Sequence, residues 1–343
     1  MKRRKKFFLL VCFMITVIFN NFTGQYALTK AKADVPAAQA ECVLELYSRR
    51  ILYQSNGDLR LPMASTTKIL TAITVLENCE NLQQKIVIPK AAEGVEGSSV
   101  YLKSGDEYTV EDLLYGLMLR SGNDCATALA LHCAGSIEQF ACKMNKTAQK
   151  AGALESNFKN PHGLPQKGHY TTARDLALIT CYAMQNEQFA KIVSTVYYSP
   201  RKWKNKNKML ALYKGAIGVK TGYTKEAGRC LVSAAKRNYT TLICVVLNCP
   251  NTYERSSSLL DDAFKAYKTV TLLSADTPLE LNKDGKRIHA YTRRTYAYPL
   301  MTEEMNLIEI KTRFCAEKSQ EILGQFEIYL AKQLLFSGNL YKL

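Results

Sequence analysis

Two β-rich hairpins bracket a long helical stretch, and this arrangement constrains the fold more than any other feature of the chain. Residues 42–47 and 50–54 alternate partly between apolar and polar across a link at Ser48 and Arg49, the pattern of a hairpin. Far downstream, residues 231–235 and 241–247 form a second pair around Lys236-Arg237-Asn238-Tyr239. Between them lie apolar-periodic stretches at 65–76, 113–118, 125–133, 137–151 and 172–184, with short strands expected at 86–88 and 101–108. Thr109 reads as a helix cap, Asn123 or Asp124 as a cap for the helix after it, and 255–267 as a closing helix. Hairpins at both ends can share one sheet only if the ends of this region meet. The expected fold is therefore α+β, an antiparallel sheet flanked by helices. After Leu273 the pattern changes to short alternating pieces such as 307–311 and 326–330, with no long amphipathic helix near the carboxy terminus. The chain thus divides into a leader at 1–33, a main domain at 34–275 and a small β-rich domain at 276–343.

The leader is read from its composition. Lys2, Arg3, Arg4, Lys5 and Lys6 precede an apolar run from Phe7 to Phe19, too short for the ~20 residues of a transmembrane helix. Ala31-Lys32-Ala33 fits a small-x-small cleavage site, and Ala38-Gln39-Ala40 is a second candidate. This pattern predicts a secretory signal and an extracytoplasmic protein, in the wall space or secreted, with membrane association left open by an uncleaved leader. The formal charge is +16, and residues 1–33 hold seven Lys/Arg and no acids, so cleavage leaves +9. That charge favours anionic surroundings such as wall polymers or lipid headgroups. Nucleic acid is excluded as the expected partner: the densest basic run, 201–208, holds one aromatic and reads as a solvated loop. Of eleven cysteines, Cys12 lies in the leader. The rest show no Cys-x-x-Cys pair, and several (Cys125, Cys133, Cys181, Cys230, Cys244) sit in apolar patterns, so mostly free, buried thiols are expected. The four histidines show no ligand spacing, and no metal or other cofactor is expected.

Chemistry enters at residues 62–73, PMASTTKILTAI. Pro62 and Ser65 are suited to a helix start. Residues three apart share a helix face, so Lys68 can fold back on Ser65. An amine beside a hydroxyl takes its proton if its pKa falls from ~10.4 toward neutrality, leaving serine a nucleophile. Alone, Ser-x-x-Lys describes a capped helix with a surface lysine equally well.

Two further motifs follow in order: Ser121-Gly122-Asn123 about fifty residues on, and Lys220-Thr221-Gly222 about a hundred after that. Such a trio marks penicillin-binding proteins and class A β-lactamases. The flanking words LMLRSGNDCATALALHCAGS, NPHGLPQKGHYTTARDLA and GVKTGYTKEAGRCLVSAAKRN narrow this further. The chain resembles the low-molecular-mass penicillin-binding proteins, the serine-type D-alanyl-D-alanine carboxypeptidases, over roughly residues 40–270, and the β-rich tail fits the same family. The resemblance implies Ser65 as nucleophile, Lys68 as its base and Ser121 as a proton relay. It implies substrate contacts from Asn123, Lys220, Thr221, Gly222 and Tyr223, with the N–H groups of Ser65 and Tyr223 holding the oxyanion. Arg255 matches in position an arginine that supports the substrate carboxylate in relatives. Gly222 keeps the strand bare for close approach. The implied partners are peptidoglycan stem peptides, with β-lactams as covalent inhibitors. His162 reads as a loop-packing residue.

Two other functions compete. A class A-like β-lactamase needs a Glu-x-x-x-Asn motif that cannot be placed between Asn123 and Lys220, and Gly122 stands where those enzymes carry aspartate. A non-catalytic wall-binding or sensor protein would not need all three motifs intact.

Overall fold

The computed structural model describes residues 37–283, 286–315 and 321–342. The expected leader, 1–33, lies outside the described residues. The elements run β1 (Ala40–Glu45), β2 (Ile51–Ser55), α1 (Lys68–Asn78), β3 (Lys85–Val87), β4 (Glu107–Thr109), α2 (Val110–Tyr115), α3 (Asn123–Ala134), α4 (Ile137–Ala151), α5 (Ala173–Met184) and α6 (Glu187–Ser194). They continue with β5 (Tyr197–Tyr198), β6 (Trp203–Lys204), α7 (Met209–Leu212), β7 (Ala216–Thr224), β8 (Gly228–Arg237), β9 (Thr240–Leu247) and α8 (Thr252–Ala266). The tail holds β10 (Lys268–Leu273), β11 (Leu279–Lys283), β12 (Lys286–Ala290), β13 (Tyr296–Leu300), β14 (Ile308–Phe314), β15 (Ile322–Leu330) and β16 (Gln333–Tyr341).

The amino-terminal hairpin joins the downstream one in a five-stranded antiparallel sheet, ordered β2-β1-β9-β8-β7. β9 is apolar almost throughout because both of its faces are covered. Ile243, Val245 and Leu247 join the core that contains α1, α3 and α5, whereas Leu242, Cys244 and Val246 face α8. Each such fully buried aliphatic side chain contributes about 1.5–3 kcal/mol. α1 packs among α3, α4 and α5, and every residue from Lys68 to Val75 is buried.

Local capping follows the sequence at Thr109, and Ser136 and Thr172 cap two further helices. Thr109, Ser136 and Thr172 each accept a backbone N–H three residues on. It fails at α3. Neither Asn123 nor Asp124 caps that helix, and Gly122 occupies the cap position without a side-chain bond. Asp124 instead accepts the backbone N–H groups of Val100, Leu102 and Cys125 and the Ser99 hydroxyl. That anchoring also corrects the strand expected at 101–108. Only Glu107–Thr109 is extended in a ladder, because the preceding residues wrap around Asp124 as a loop.

The tail builds a separate small core from Leu273, Leu281, Ala290, Tyr296, Phe326, Ile328 and Leu340. β10, which precedes the expected boundary, pairs with β13 and supplies Leu273 to that core. Arg50 ties this region to the main sheet through Glu304 at 2.5 Å and the Pro299 carbonyl, with its guanidinium over Tyr267 and Tyr298. All ten described cysteines are free thiols, and six of them are buried. No helix among the described residues is long and apolar enough to cross a membrane.

Candidate active site

The Ser65 turn is not the capped helix start that the sequence predicts. Residues Ala64–Thr67 form a 3-10 turn, no side chain caps it, and α1 begins only at Lys68. Ala64 takes a left-handed conformation, φ 49°, which costs a non-glycine residue roughly 1–3 kcal/mol. Several contacts hold the turn in place. Thr66 and Thr67 donate their hydroxyls to the Met63 and Ala64 carbonyls. His169 accepts the Lys159 N–H at Nδ1, so its Nε2–H is left to donate to Thr67 Oγ1 at 3.0 Å. Gly163 lies against the same turn: a Cβ there would stand 1.9 Å from the Ala64 carbonyl oxygen. Ser65 itself is half-exposed within otherwise buried neighbours.

Lys68 is fully buried, with its Nζ 2.9 Å from Ser65 Oγ, 2.6 Å from Asn123 Oδ1 and 2.7 Å from the His162 carbonyl. A neutral amine has two N–H donors and one lone pair. The amide and carbonyl oxygens can only accept, so they take the two donors. The lone pair is then left for the Ser65 hydroxyl. Burial pushes the Lys68 pKa well below its usual value, and the nearby Lys220 pushes it further. Lys220, also buried, falls to about 7 through burial and then Lys206. Among the described residues neither lysine has an ion-pair partner. The carboxylate of Asp124 lies near Lys68 but is committed to the 99–102 loop and the Cys125 N–H.

Asn123 is oriented by three neighbours. Its oxygen accepts from Lys68, its Nδ2 donates to the Glu96 carbonyl at 2.5 Å, and its backbone N–H donates to the Ser98 carbonyl. Ser121 is buried two residues earlier in a left-handed conformation, where a five-residue wide turn, Gly116–Arg120, ends. β7 carries the third motif on the terminal strand of the sheet, directly against the serine turn. A Cβ on Gly222 would sit 3.0 Å from the Met63 carbonyl and 3.1 Å from the backbone nitrogens of both Ser65 and Thr66. Lys220 Nζ bonds the Thr221 carbonyl, Thr221 is half-buried, and the Tyr223 side chain is exposed near Arg229.

Arg255 is the residue that the structure moves away. Its guanidinium makes a buried, two-pronged pair with Glu41 on β1, 2.6 Å on each arm, and reaches Tyr53. β9 and β8 separate β1 from β7, so the arginine serves the sheet's far side rather than the serine turn. The basic run 201–208 is solvated at its four lysines, Lys202, Lys204, Lys206 and Lys208, and is anchored between them. Trp203 packs on the main core, Asn207 is buried, and the Lys206 backbone N–H donates to the Leu119 carbonyl. Its Nζ lies 3.4 Å from Ser98 Oγ, so this run walls the site. The His162 ring packs in its loop: Nδ1 accepts the Leu164 N–H, and burial followed by Lys68 lowers its pKa to about 3. It is the backbone carbonyl of His162, not its ring, that enters the site. A polar cleft of about 430 Å³ opens beside the turn, bounded by Arg60, Pro62, Gln166, His169, Tyr170 and Glu226.

Serine, a buried lysine of lowered pKa, an oriented asparagine, a second lysine and a bare edge strand thus converge. Known proteins resemble this chain in sequence and fold. The D-alanyl-D-alanine carboxypeptidase profile of peptidase family S11 matches residues 27–251. The chain belongs to this family. DacF of Bacillus subtilis, a D-alanyl-D-alanine carboxypeptidase, is 33% identical over 297 residues, covering 80% of this chain and 76% of its own. The D-alanyl-D-alanine carboxypeptidase of Streptomyces sp. strain K15 is 39% identical over 57% of this chain and 75% of its own. Among solved structures, penicillin binding protein 5 from Haemophilus influenzae superposes with a TM-score of 0.74 at 26% identity, covering 89% of this chain and 96% of that one. The Streptomyces K15 DD-transpeptidase superposes at 0.63 with 35% identity over 67% of this chain and 97% of that one. The mixed fold, an antiparallel sheet with helices and a β-rich tail, is the fold of these neighbours.

Proposed function

We propose that this chain is a serine D-alanyl-D-alanine carboxypeptidase that removes the terminal D-alanine of peptidoglycan stem peptides through an acyl-enzyme on Ser65. The observation that carries it is the buried Lys68 amine, which has two oxygen acceptors and the Ser65 hydroxyl around it and no ion-pair partner among the described residues. Ser65 Oγ attacks the penultimate D-alanine carbonyl while its proton passes to Lys68 Nζ. The backbone N–H groups of Ser65 and Tyr223 hold the resulting oxyanion, each donor contributing about 3 kcal/mol. Collapse breaks the C–N bond, and the proton moves through Ser121 to the leaving amine. Water then attacks the ester, and the net reaction consumes one water and releases one D-alanine. Lys220 and Thr221 receive the terminal carboxylate, the role for which Arg255 is too distant. The polar cleft takes the stem peptide. β-Lactams acylate the same serine. The protein works outside the cytoplasmic membrane, against the anionic wall. Ala38 and Ala40 are buried at the start of β1, which favours leader removal at Ala33 over the second site.

Incubation with diacetyl-lysyl-D-alanyl-D-alanine should release D-alanine, and fluorescent penicillin should label the wild type and not Ser65→Ala. If Ser65→Ala releases D-alanine at the wild-type rate, the proposal fails. A penicilloyl adduct that turns over within seconds would instead indicate a β-lactamase. Similarity to a DD-transpeptidase favours one variation, in which an amine replaces water as acceptor. Adding an acceptor dipeptide and looking for the ligated product separates the two fates.

A further inference from the structure

One pair of side chains lies outside the site and is used by nothing described above. Cys79 follows the last residue of α1, and Cys133 lies in the last turn of α3. Their sulfurs are 3.1 Å apart, closer than the ~3.5–4.0 Å of packed, non-bonded heavy atoms. Both side chains are half-buried against the main core, so the pair is held in place yet open to small reagents. Lys143 on α4 stands next to the pair, with its Nζ anchored 2.7 Å from Asn78 Oδ1. The other described cysteines have no sulfur partner of this kind.

We infer that Cys79 and Cys133 form a thiol–disulfide site whose oxidation bolts α1 to α3 at the ends remote from the catalytic serine. Both helices begin at the site. Lys68 opens α1, Asn123 opens α3, and their side chains meet at 2.6 Å. A bond between Cys79 and Cys133 therefore closes the opposite end of a two-helix frame whose near end is the Lys68–Asn123 contact. The co-substrate is a disulfide, RSSR, which an oxidising compartment supplies; that setting rests on the extracytoplasmic location proposed above.

The step balances as an exchange. Cys79 loses its proton and attacks one sulfur of RSSR, expelling RS⁻ and forming a mixed disulfide. Cys133 then loses its proton, and its thiolate attacks the Cys79 sulfur, expelling the second RS⁻. Two thiols are oxidised, RSSR is reduced, and the two protons leave as 2 RSH. The order follows from the surroundings. The Cys79 thiol is held below its usual pKa by the hydrogen bond from Cys133 and by Lys143, against its burial, whereas the Cys133 thiol is raised by the same hydrogen bond and by burial.

The experiment treats the folded, full-length protein with oxidised glutathione, alkylates with iodoacetamide and maps the peptides by mass. A Cys79–Cys133 linkage is expected in the wild type and in Cys142→Ser, and not in Cys79→Ser or Cys133→Ser. The oxidised wild type should melt about 5–10 °C above the dithiothreitol-treated protein, since the bond closes a long loop. Alkylation of both cysteines after oxidation, a linkage of either one to Cys142, or a melting point unchanged or lowered by the linkage would each overturn the proposal.

Discussion

The main sheet buries charge in two places, and it treats the two in opposite ways. On β1, Glu41 and Arg255 neutralise each other across two 2.6 Å arms, with Tyr53 filling a remaining position. At the other end of the sheet, Lys68 and Lys220 are as deeply buried and have no ion-pair partner among the described residues. A buried pair costs desolvation that its own attraction repays, so it persists as two charges. A buried lone amine has no such return, so its pKa falls. The first arrangement fixes a helix to a sheet. The second lowers the amine pKa beside Ser65, as the proposed base requires. Complete pairing therefore marks a structural charge in this molecule, and a missing partner marks a chemical one.

The comparison can be broken most directly at Lys68. Lys68→Met should lower the penicillin acylation rate by at least about 10³-fold while circular dichroism stays native. Acylation within tenfold of wild type would show that another group serves as base. On the paired side, Glu41→Gln should lower unfolding free energy by about 3–5 kcal/mol, because Arg255 is left buried and uncompensated. In the fraction that stays folded, acylation should remain within about twofold, the mirror image of the lysine result; a larger loss would place Arg255 in the reaction after all. A smaller effect is expected at the strand beside the serine. Gly222→Ala puts a methyl 3.0–3.1 Å from the Met63 carbonyl and the Ser65 and Thr66 nitrogens, and should slow acylation about 10–100-fold with little change in melting. The mildest test uses linkage. Lys220 titrates near 7 when folded and near 10.5 when not. Between those values the unfolded chain binds the extra proton, so stability rises with pH and is lost again as pH falls toward 7. From pH 7 to 9 the wild type should gain about 1–2 kcal/mol relative to Lys220→Met in urea titrations. A gain on lowering the pH would mean that Lys220 is paired.

The parts of the site that sequence reveals are those in which a side chain carries the chemistry at short range. Ser65, Lys68, Ser121, Asn123 and Lys220 stand in three compact words, and the structure gathers those words into one place. The hairpins and the Thr109 cap were legible for the same local reason. What stayed hidden is backbone and long-range pairing. The carbonyl of His162 has no sequence signature, although Asn160-Pro161-His162-Gly163 announces a tight loop, and the crowding at Gly163 shows why that loop must be so close. Arg255 stands at a familiar position in the chain, but its partner lies 214 residues away on β1, beyond the reach of any spacing argument. Asp124 looked like a helix cap and instead organises a loop, because a buried carboxylate serves whichever N–H groups tertiary contacts bring to it. Lys206 is exposed, as its run suggests, and only Trp203 three residues earlier hinted that the backbone there is tied inward.

The pairing of β1 with β9 has a consequence in time. Ala40 faces Leu247 and Glu45 faces Leu242, so β1, which pairs early with β2, waits roughly two hundred residues for its second neighbour. Lys68 in turn waits for Asn123 and then for His162. A chain that emerges amino terminus first therefore carries its serine early and its catalytic environment late. The burial of Lys68 and the seat of Gly222 against the serine turn are complete only once β7, β8 and β9 have been made. The pocket around Ser65 is thus one of the last parts of the main domain to be completed.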